Sequence, residues 1–188
     1  VLYQILLGSP ASPLYKALLD SELGEDIAGL GLDTDAYQMI FSTGMRGVAL
    51  EDAGKVEETI LETLQGLVKD GIDPLEIEAA MNTYEFSLRE YNTGGFPRGL
   101  AMMFTSLSSW LYGGDPLAPL SYESTLASIK EKLASDKHYF EKLIESQLLN
   151  NTHRSTILLE PDSEYRKRLE AEERAKLDAV RAKLSDAE

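Results

Sequence analysis

The sequence predicts an α+β fold, in which several helices pack on a small antiparallel sheet and a charged helix follows at the C-terminal end. Three observations indicate this fold. Helical periodicity recurs through most of the 188 residues, strand-like stretches are few, and strands do not alternate with helices as they would in βαβ units. Apolar residues make up 43% of the chain, which is typical of a globular core. No run approaches the roughly 18 apolar residues of a membrane-spanning helix, so we expect no membrane partner.

Strand signals occur in two regions. Gly29, Gly31 and residues 33–35 interrupt regular structure, and residues 36–44 are the best strand candidate, so we expect two strands to flank this turn. Residues 155–159 form a second run of β-branched and apolar residues. This run predicts a strand that returns to the sheet.

Most of the first 160 residues are predicted to be helical. Pro13 marks an early helix start, and residues 51–70 place their apolar side chains on one face. The next helix has the clearest start, with Asp73 as N-cap and Pro74 at the first helical position. Its apolar stripe repeats at helical spacing and is expected to pack along its whole length: Ile77, Met81, Tyr84, Leu88 and Tyr91.

Three further helices complete the prediction for this part, and a fourth follows it. Pro97 opens a helix whose apolar side chains we expect to face the core: Leu100, Met103, Phe104, Leu107 and Leu111. Helical stretches are also predicted around Tyr122–Leu133 and Asp136–Leu149. Beyond Pro161, the charged segment from Ser163 to Glu188 predicts a helix that packs against another part of a longer chain.

Charge and composition exclude several classes of function. Residues 1–160 hold 24 acidic and 11 basic side chains, whereas residues 161–188 hold 8 and 7. An acidic protein of this kind is a poor partner for nucleic acid and attracts basic peptides. The absence of cysteine excludes disulfides, thiolate zinc sites and cysteine nucleophiles.

The sequence predicts no catalytic residue and no metal ligand. His138 and His153 stand alone, in neither an HxxEH nor an HExxH pattern, and each is best interpreted as a surface or turn histidine. Glu58 and Glu62 lie one helical turn apart and could share a cation, but a solvated helix face is the better interpretation. The serines lack a neighbouring histidine or a nucleophile elbow.

One glycine-rich segment, residues 94–99, is more distinctive. Its flexible glycines precede a helix start that carries Arg98, so it could present backbone amides or the guanidinium group to a carboxylate or phosphate. The alternative, which we favour, is a tight connection between two helices in which glycine permits the turn and Pro97 fixes the new helix.

Four segments, taken in order, carry a resemblance to a known family. They read LGSPASPLYKAL at residues 7–18, REYNTGGFPRGL at residues 89–100, WLY followed by DPL within residues 110–117, and HR leading to LEPD within residues 153–162. Together they resemble the insulinase/pitrilysin family of zinc metallopeptidases, and especially its presequence-protease subgroup. The resemblance extends over nearly the whole chain.

The resemblance implies a position in a longer protein. Residues 1–160 would be the non-catalytic second metallopeptidase-like domain of the N-terminal half, and residues 161–188 would begin the helical hairpin that links the two halves. Such a peptidase encloses unfolded peptides between two bowl-like halves and cuts them with a zinc-bound water. The zinc ligands would lie in the first domain, upstream of Val1, and this segment itself would bind no cofactor. Its partners would be that first domain, the C-terminal half and unfolded peptides.

The resemblance also guides the choice of site residues and compartment. Phe96 and Arg98 are the candidates for contact with a peptide or with the chamber. The location would be the cytoplasm in a bacterium, or the mitochondrial matrix or another organelle lumen. Two alternatives remain open, namely a catalytically silent scaffold of the same fold and an unrelated α+β interaction module.

Overall fold

The computed structural model describes residues 1–184 and divides into two compact units, Val1–Ser155 and Thr156–Glu188. The first unit confirms the predicted α+β fold. Its antiparallel sheet consists of β1 (Asp26–Asp33) and β2 (Ile40–Arg46). The seven helices of this unit are α1 (Leu2–Leu7), α2 (Pro13–Asp20), α3 (Ala53–Asp70), α4 (Pro74–Glu90), α5 (Arg98–Trp110), α6 (Glu123–Ser135) and α7 (Tyr139–Leu143). Helix α7 continues into a π-helical segment, Ile144–Leu149, and short 3-10 turns occur at Leu50–Asp52 and Ala118–Leu120.

The core of the first unit lies among α1, α2, α3 and the α7 region. Its most completely buried side chains are Ile5, Leu6, Leu14, Leu18, Phe140 and Ile144. The predicted stripe of α3 is confirmed, because Val56 and Leu64 are buried and the side chains between and after them pack on the same core. Helix α6 contributes Leu126, and α4 contributes Ala80 and Met81 near its start.

A bulge in β1 brings the hairpin close to α1. The register shifts between Ala28 and Gly31, and Gly29 and Gly31 both have positive φ, at 104° and 67°. A Cβ atom on Gly31 would lie only 2.1 Å from the Tyr3 ring. The two glycines flagged in the sequence as breaking regular structure therefore lie inside the strand, where they permit this close approach.

Glu141 links α7 to the turn between α3 and α4. Its Oε1 atom accepts a hydrogen bond from the backbone N–H of Ile72 at 3.0 Å, although 69 residues separate the two in the sequence. Glu141 is only 4% exposed, and its Oε2 atom is buried without a hydrogen-bond partner among the described residues. The Nδ1 atom of His138 lies 3.6 Å from Oε1. Because a buried N–H without an acceptor is costly, this single carboxylate stabilises the α3–α4 turn.

Helix α4 begins as predicted but does not pack along its whole length. Asp73 caps it, since its side chain accepts the N–H of Leu75 at 2.9 Å. Burial ends after Met81: Leu88 and Tyr91 are half-buried, and Tyr84 is exposed. The stripe has the right spacing, but α5 and α6 reach its second half through polar contacts of Tyr91 and Glu85 and do not bury it fully.

The predicted strand at residues 155–159 is wrong. This segment has no regular secondary structure, and Ile157 and Leu159 are 86% and 92% exposed. A strand requires an edge to pair with, and β-branched residues alone do not supply one. Within the described residues, the sheet contains β1 and β2 alone.

The second unit contains a charged helix, α8 (Tyr165–Arg181). Asp162 stabilises the N-terminal end of α8. One of its carboxylate oxygens accepts the N–H of Glu164 at 2.9 Å, and the other accepts a hydrogen bond from Arg168 at 2.6 Å. Arg166 pairs with Glu170 one turn later, at 2.9 Å. The sequence predicts this helix over Ser163–Glu188, whereas in the structure it ends at Arg181; residues 185–188 lie outside the described part. No described helix is both long and apolar enough to cross a membrane.

Replacing Glu141 tests its role as a tertiary link. Glu141→Ala should lower the free energy of unfolding by about 1–3 kcal/mol, because the buried Ile72 N–H loses its acceptor. Glu141→Gln keeps an acceptor oxygen and should retain most of the stability. The measurement is urea unfolding followed by circular dichroism, with Glu145→Ala as the control on the same segment, where the side chain is exposed. A loss in Glu141→Ala no larger than that of the control would contradict this role.

The link between α4 and α6 should depend on pH. Lys130 binds Glu85 at 2.6 Å, and this hydrogen bond, reinforced by Arg89, holds the pKa of Glu85 below its ordinary value of 4.5. A lowered pKa means that the folded state binds the proton less readily than the unfolded state. The stabilisation is therefore present above about pH 4.5 and is lost as the pH falls through the folded-state pKa. Wild type should be slightly more stable than Glu85→Gln at pH 7, and urea unfolding should show the two converging as the pH is lowered below 4.5 and through the folded-state pKa.

Candidate functional site

Helix α5 and the turn before it form an exposed apolar surface, here called the α5 surface. It consists of Phe96, Leu100, Met103, Phe104 and Trp110. Helix α5 contains no buried residue, and Phe104 and Trp110 are 56% and 63% exposed. Exposed apolar surface of this extent usually marks a contact with another polypeptide or a ligand. The prediction that the apolar stripe of α5 faces the core of this unit is therefore wrong.

The turn from Tyr91 to Phe96 is closed by local hydrogen bonds. Tyr91 ends α4 with a left-handed backbone, at φ 44°. Asn92 accepts the N–H of Gly94 through its side chain, at 2.9 Å. The Thr93 hydroxyl donates to the carbonyl of Phe96 at 2.7 Å, and the Thr93 carbonyl accepts the N–H of Phe96 at 3.0 Å. Several of the turn's polar groups are engaged internally, which agrees with the interpretation of residues 94–99 as a tight connection between helices.

Phe96, which is part of this surface, and Arg98, at the start of α5, are the two contact candidates from the sequence, and they make different contacts. The Phe96 ring stacks on Phe104, with 6.1 Å between the ring centroids. The guanidinium of Arg98 lies 5.6 Å from the centroid of the Tyr91 ring, in a cation–π contact. The Tyr91 hydroxyl in turn lies 3.1 Å from that of Thr105 on α5. Arg98 is exposed and has no acidic partner within 4 Å among residues 1–184, so its charge is available to a ligand.

The sequence did contain a signal for the α5 surface. The apolar residues of α5 form a broad band, because Trp110 lies at the edge of the predicted stripe. The polar side of the helix consists of Thr105, Ser106, Ser108 and Ser109. A helix normally buries such an apolar band against a partner. Because the other described elements leave the α5 surface exposed, its apolar side chains are available to contact another polypeptide or a ligand.

The other residues considered from the sequence are dispersed. Within residues 1–184, no group of three or more His, Asp or Glu side chains is placed to hold a metal ion. His138 lies beside Glu141, and His153 is in an exposed turn. Glu58 and Glu62 are both exposed on α3, as expected for a solvated face.

The serines serve local structure. The Ser12 hydroxyl accepts the N–H of Ser9 at 3.1 Å, just before α2 begins. The Ser42 hydroxyl accepts the N–H of Leu30 across the bulge, at 3.0 Å. These hydrogen bonds give Ser12 and Ser42 a role in local structure.

Comparison with known proteins gives a consistent result. Residues 1–84 match the family described as Peptidase M16 inactive domain. The chain is 46% identical over 184 residues to Presequence protease 1, chloroplastic/mitochondrial, of Arabidopsis thaliana, covering 97% of this chain and 17% of that protein. It is 38% identical over 181 residues to Protein HypA of Clostridium perfringens, covering 96% and 18%. It is 29% identical over 189 residues to the mitochondrial presequence protease of Mus musculus, covering 100% and 18%.

The first 84 residues, with α1–α3, the hairpin and the start of α4, are thus similar to an inactive peptidase domain of the M16 type. The resemblance to the insulinase/pitrilysin family noted in the sequence is confirmed, because nearly the whole chain is similar to a segment of presequence proteases. The chain spans about one-sixth of the length of these relatives. The α5 surface lies beyond residue 84, in a part that the presequence proteases share but the family match does not include.

A pair of substitutions tests whether the α5 surface is outside the core. Phe104→Gln should change the free energy of unfolding by less than about 0.5 kcal/mol, because its side chain is already exposed. Leu64→Ala, in the core at 3% exposure, should cost about 2–5 kcal/mol. Phe104→Gln should also lower the binding of the apolar dye ANS. A loss of more than about 2 kcal/mol in Phe104→Gln would place this side chain in the core and contradict the assignment.

Proposed function

We propose that this chain is a non-catalytic, chamber-forming domain of a zinc-dependent endopeptidase that degrades short unstructured peptides. The observation that carries the proposal is its similarity, over 97% of its length, to a presequence protease, together with the match of residues 1–84 to an inactive M16 domain. In this proposal, residues 1–160 form the domain and residues 161–188 begin the helical linker. Zinc and its ligands would belong to another domain of the same protein.

The α5 surface supports a role in enclosing or contacting polypeptide. It combines aromatic and methionine side chains with the available charge of Arg98, and such residues are enriched where proteins contact other chains. Within this proposal, Phe96 and Arg98 contact a peptide or the facing part of the chamber. The partners are then the catalytic first domain, the C-terminal half and the enclosed peptide.

The names of relatives bear on the compartment. Those that state a location give the mitochondrion or the chloroplast, which supports an organelle lumen for this protein. The bacterial relatives carry no location in their names.

Metal content and cleavage test the proposal. The 188-residue chain should contain no stoichiometric zinc and should not cleave a fluorogenic unstructured peptide. The complete gene product should bind zinc and cleave the peptide in a chelator-sensitive manner.

In the complete protein, Phe104→Asp should lower kcat/KM for peptides about fivefold or more, because a contact is lost, while zinc content stays unchanged. Gln65→Asp, an exposed position on α3, is the matched control.

Two results would contradict the proposal. Chelator-sensitive cleavage by the 188-residue chain alone would mean that it is catalytic. A complete protein that binds no zinc and cleaves no peptide would favour the silent scaffold instead.

A further inference from the structure

The tip of the β-hairpin is held against the turn that follows α5. The Tyr112 hydroxyl donates a hydrogen bond to the backbone carbonyl of Asp35 at 3.1 Å, across 77 residues of sequence. The rings of Tyr37 and Tyr112 pack with 5.4 Å between centroids and a tilt of 56°. We call this arrangement, with Trp110 two residues before Tyr112, the aromatic clasp.

The rings of the clasp are fixed and yet exposed. Tyr37 is 77% exposed, and Tyr112 and Trp110 are also open to solvent. Because the hydrogen bond and the ring contact already restrict Tyr112, little side-chain freedom remains to be lost when a ligand binds. Exposed tyrosine and tryptophan held in this way are suited to recognition rather than to core packing.

Acidic side chains without a basic partner in the described part of the chain lie close to the clasp in sequence. Residues 31–45 and 99–129 contain no Lys, Arg or His. The same segments place Asp33, Asp35 and Asp115 close to the clasp in sequence, and none of the three forms an ion pair among the described residues. Asp33 is oriented by the N–H of Asp35 at 2.8 Å, and Asp115 by the N–H of Leu117 at 2.9 Å. The clasp therefore offers aromatic faces and carboxylates together.

This combination selects cations. Aromatic faces attract guanidinium and ammonium groups through their quadrupole, and neighbouring carboxylates strengthen that attraction. Arginine benefits more than lysine, because its flat guanidinium can stack on a ring while it pairs with a carboxylate. We propose that the aromatic clasp binds an Arg or Lys side chain of an extended polypeptide segment. As a peptide subsite of the chamber it rests on the proposed function, but binding itself requires no cleavage.

The single tryptophan provides a direct readout. Trp110 is the one Trp of the chain, so its fluorescence reports on the clasp and on the adjoining end of the α5 surface, and the variants below distinguish the two. A short Gly/Ser peptide carrying two Arg should change this fluorescence saturably, with a Kd of about 1 mM at low salt. The same peptide with citrulline in place of Arg, which keeps the shape and removes the charge, should have no effect. Binding should weaken severalfold in 0.5 M NaCl, because the attraction is between charges near the surface.

Variants connect the signal to the clasp. Tyr37→Ser should weaken binding about two- to fivefold, as expected for the loss of one exposed cation–π contact. The double variant Asp33→Asn and Asp115→Asn should also weaken it and reduce its salt dependence. Tyr84→Ser, which removes an exposed tyrosine on α4, is the matched control and should bind as wild type. Circular dichroism checks that each variant is folded.

Three outcomes would overturn the inference. They are equal binding of the Arg and citrulline peptides, unchanged binding by the Tyr37 and Asp variants, and a Trp110 signal that depends on protein concentration without peptide. The last result would assign the clasp to contact between two copies of the chain. Since no cleavage is measured, each of these outcomes leaves the proposed peptidase role to its own test.

Discussion

The first unit depends on one hydrophobic core, to which some helices contribute many buried side chains and others contribute none. Helices α1, α2 and α3 form one core with Phe140 and Ile144 of the α7 region, and most of the fully buried side chains belong to this cluster. Helix α5 contributes no buried residue to it, although it is among the most apolar segments of the chain. Because apolar side chains contribute to stability only where they leave water, this core holds the first unit together. The same imbalance leaves the α5 surface available for contact with another polypeptide.

Local features could be predicted well from the sequence. The cap at Asp73, the stripe of α3 and the two-stranded hairpin all follow from short-range rules, since a cap, a helical face and a turn each involve residues that are close in sequence. The family resemblance could also be found in this way, because it depends on short motifs in a fixed order.

The failures have a common physical cause, because each concerns a partner that is distant in sequence. Residues 155–159 and the second half of the α4 stripe have suitable composition, but the former form no described strand and the latter is only partly buried. Conversely, the contacts of Glu141 with Ile72 and of Tyr112 with Asp35 join residues 69 and 77 positions apart. The periodicity of apolar residues contains no information about such pairs. A glutamate that will be buried cannot be distinguished in the sequence from a solvated one, because only the fold brings its carboxylate next to a backbone N–H.

The central claim is that the α5 surface is a contact surface for polypeptide in the complete protein. Hydroxyl-radical footprinting tests it most directly, because the oxidation rate of each side chain reports its solvent exposure. The rates of Met103, Phe104 and Trp110 should fall severalfold in the complete protein with an unstructured peptide bound, relative to the 188-residue chain. The rate of Tyr165, an exposed tyrosine of the second unit, gives a reference within the same sample. Equal rates for the three α5 side chains in both samples would contradict the claim.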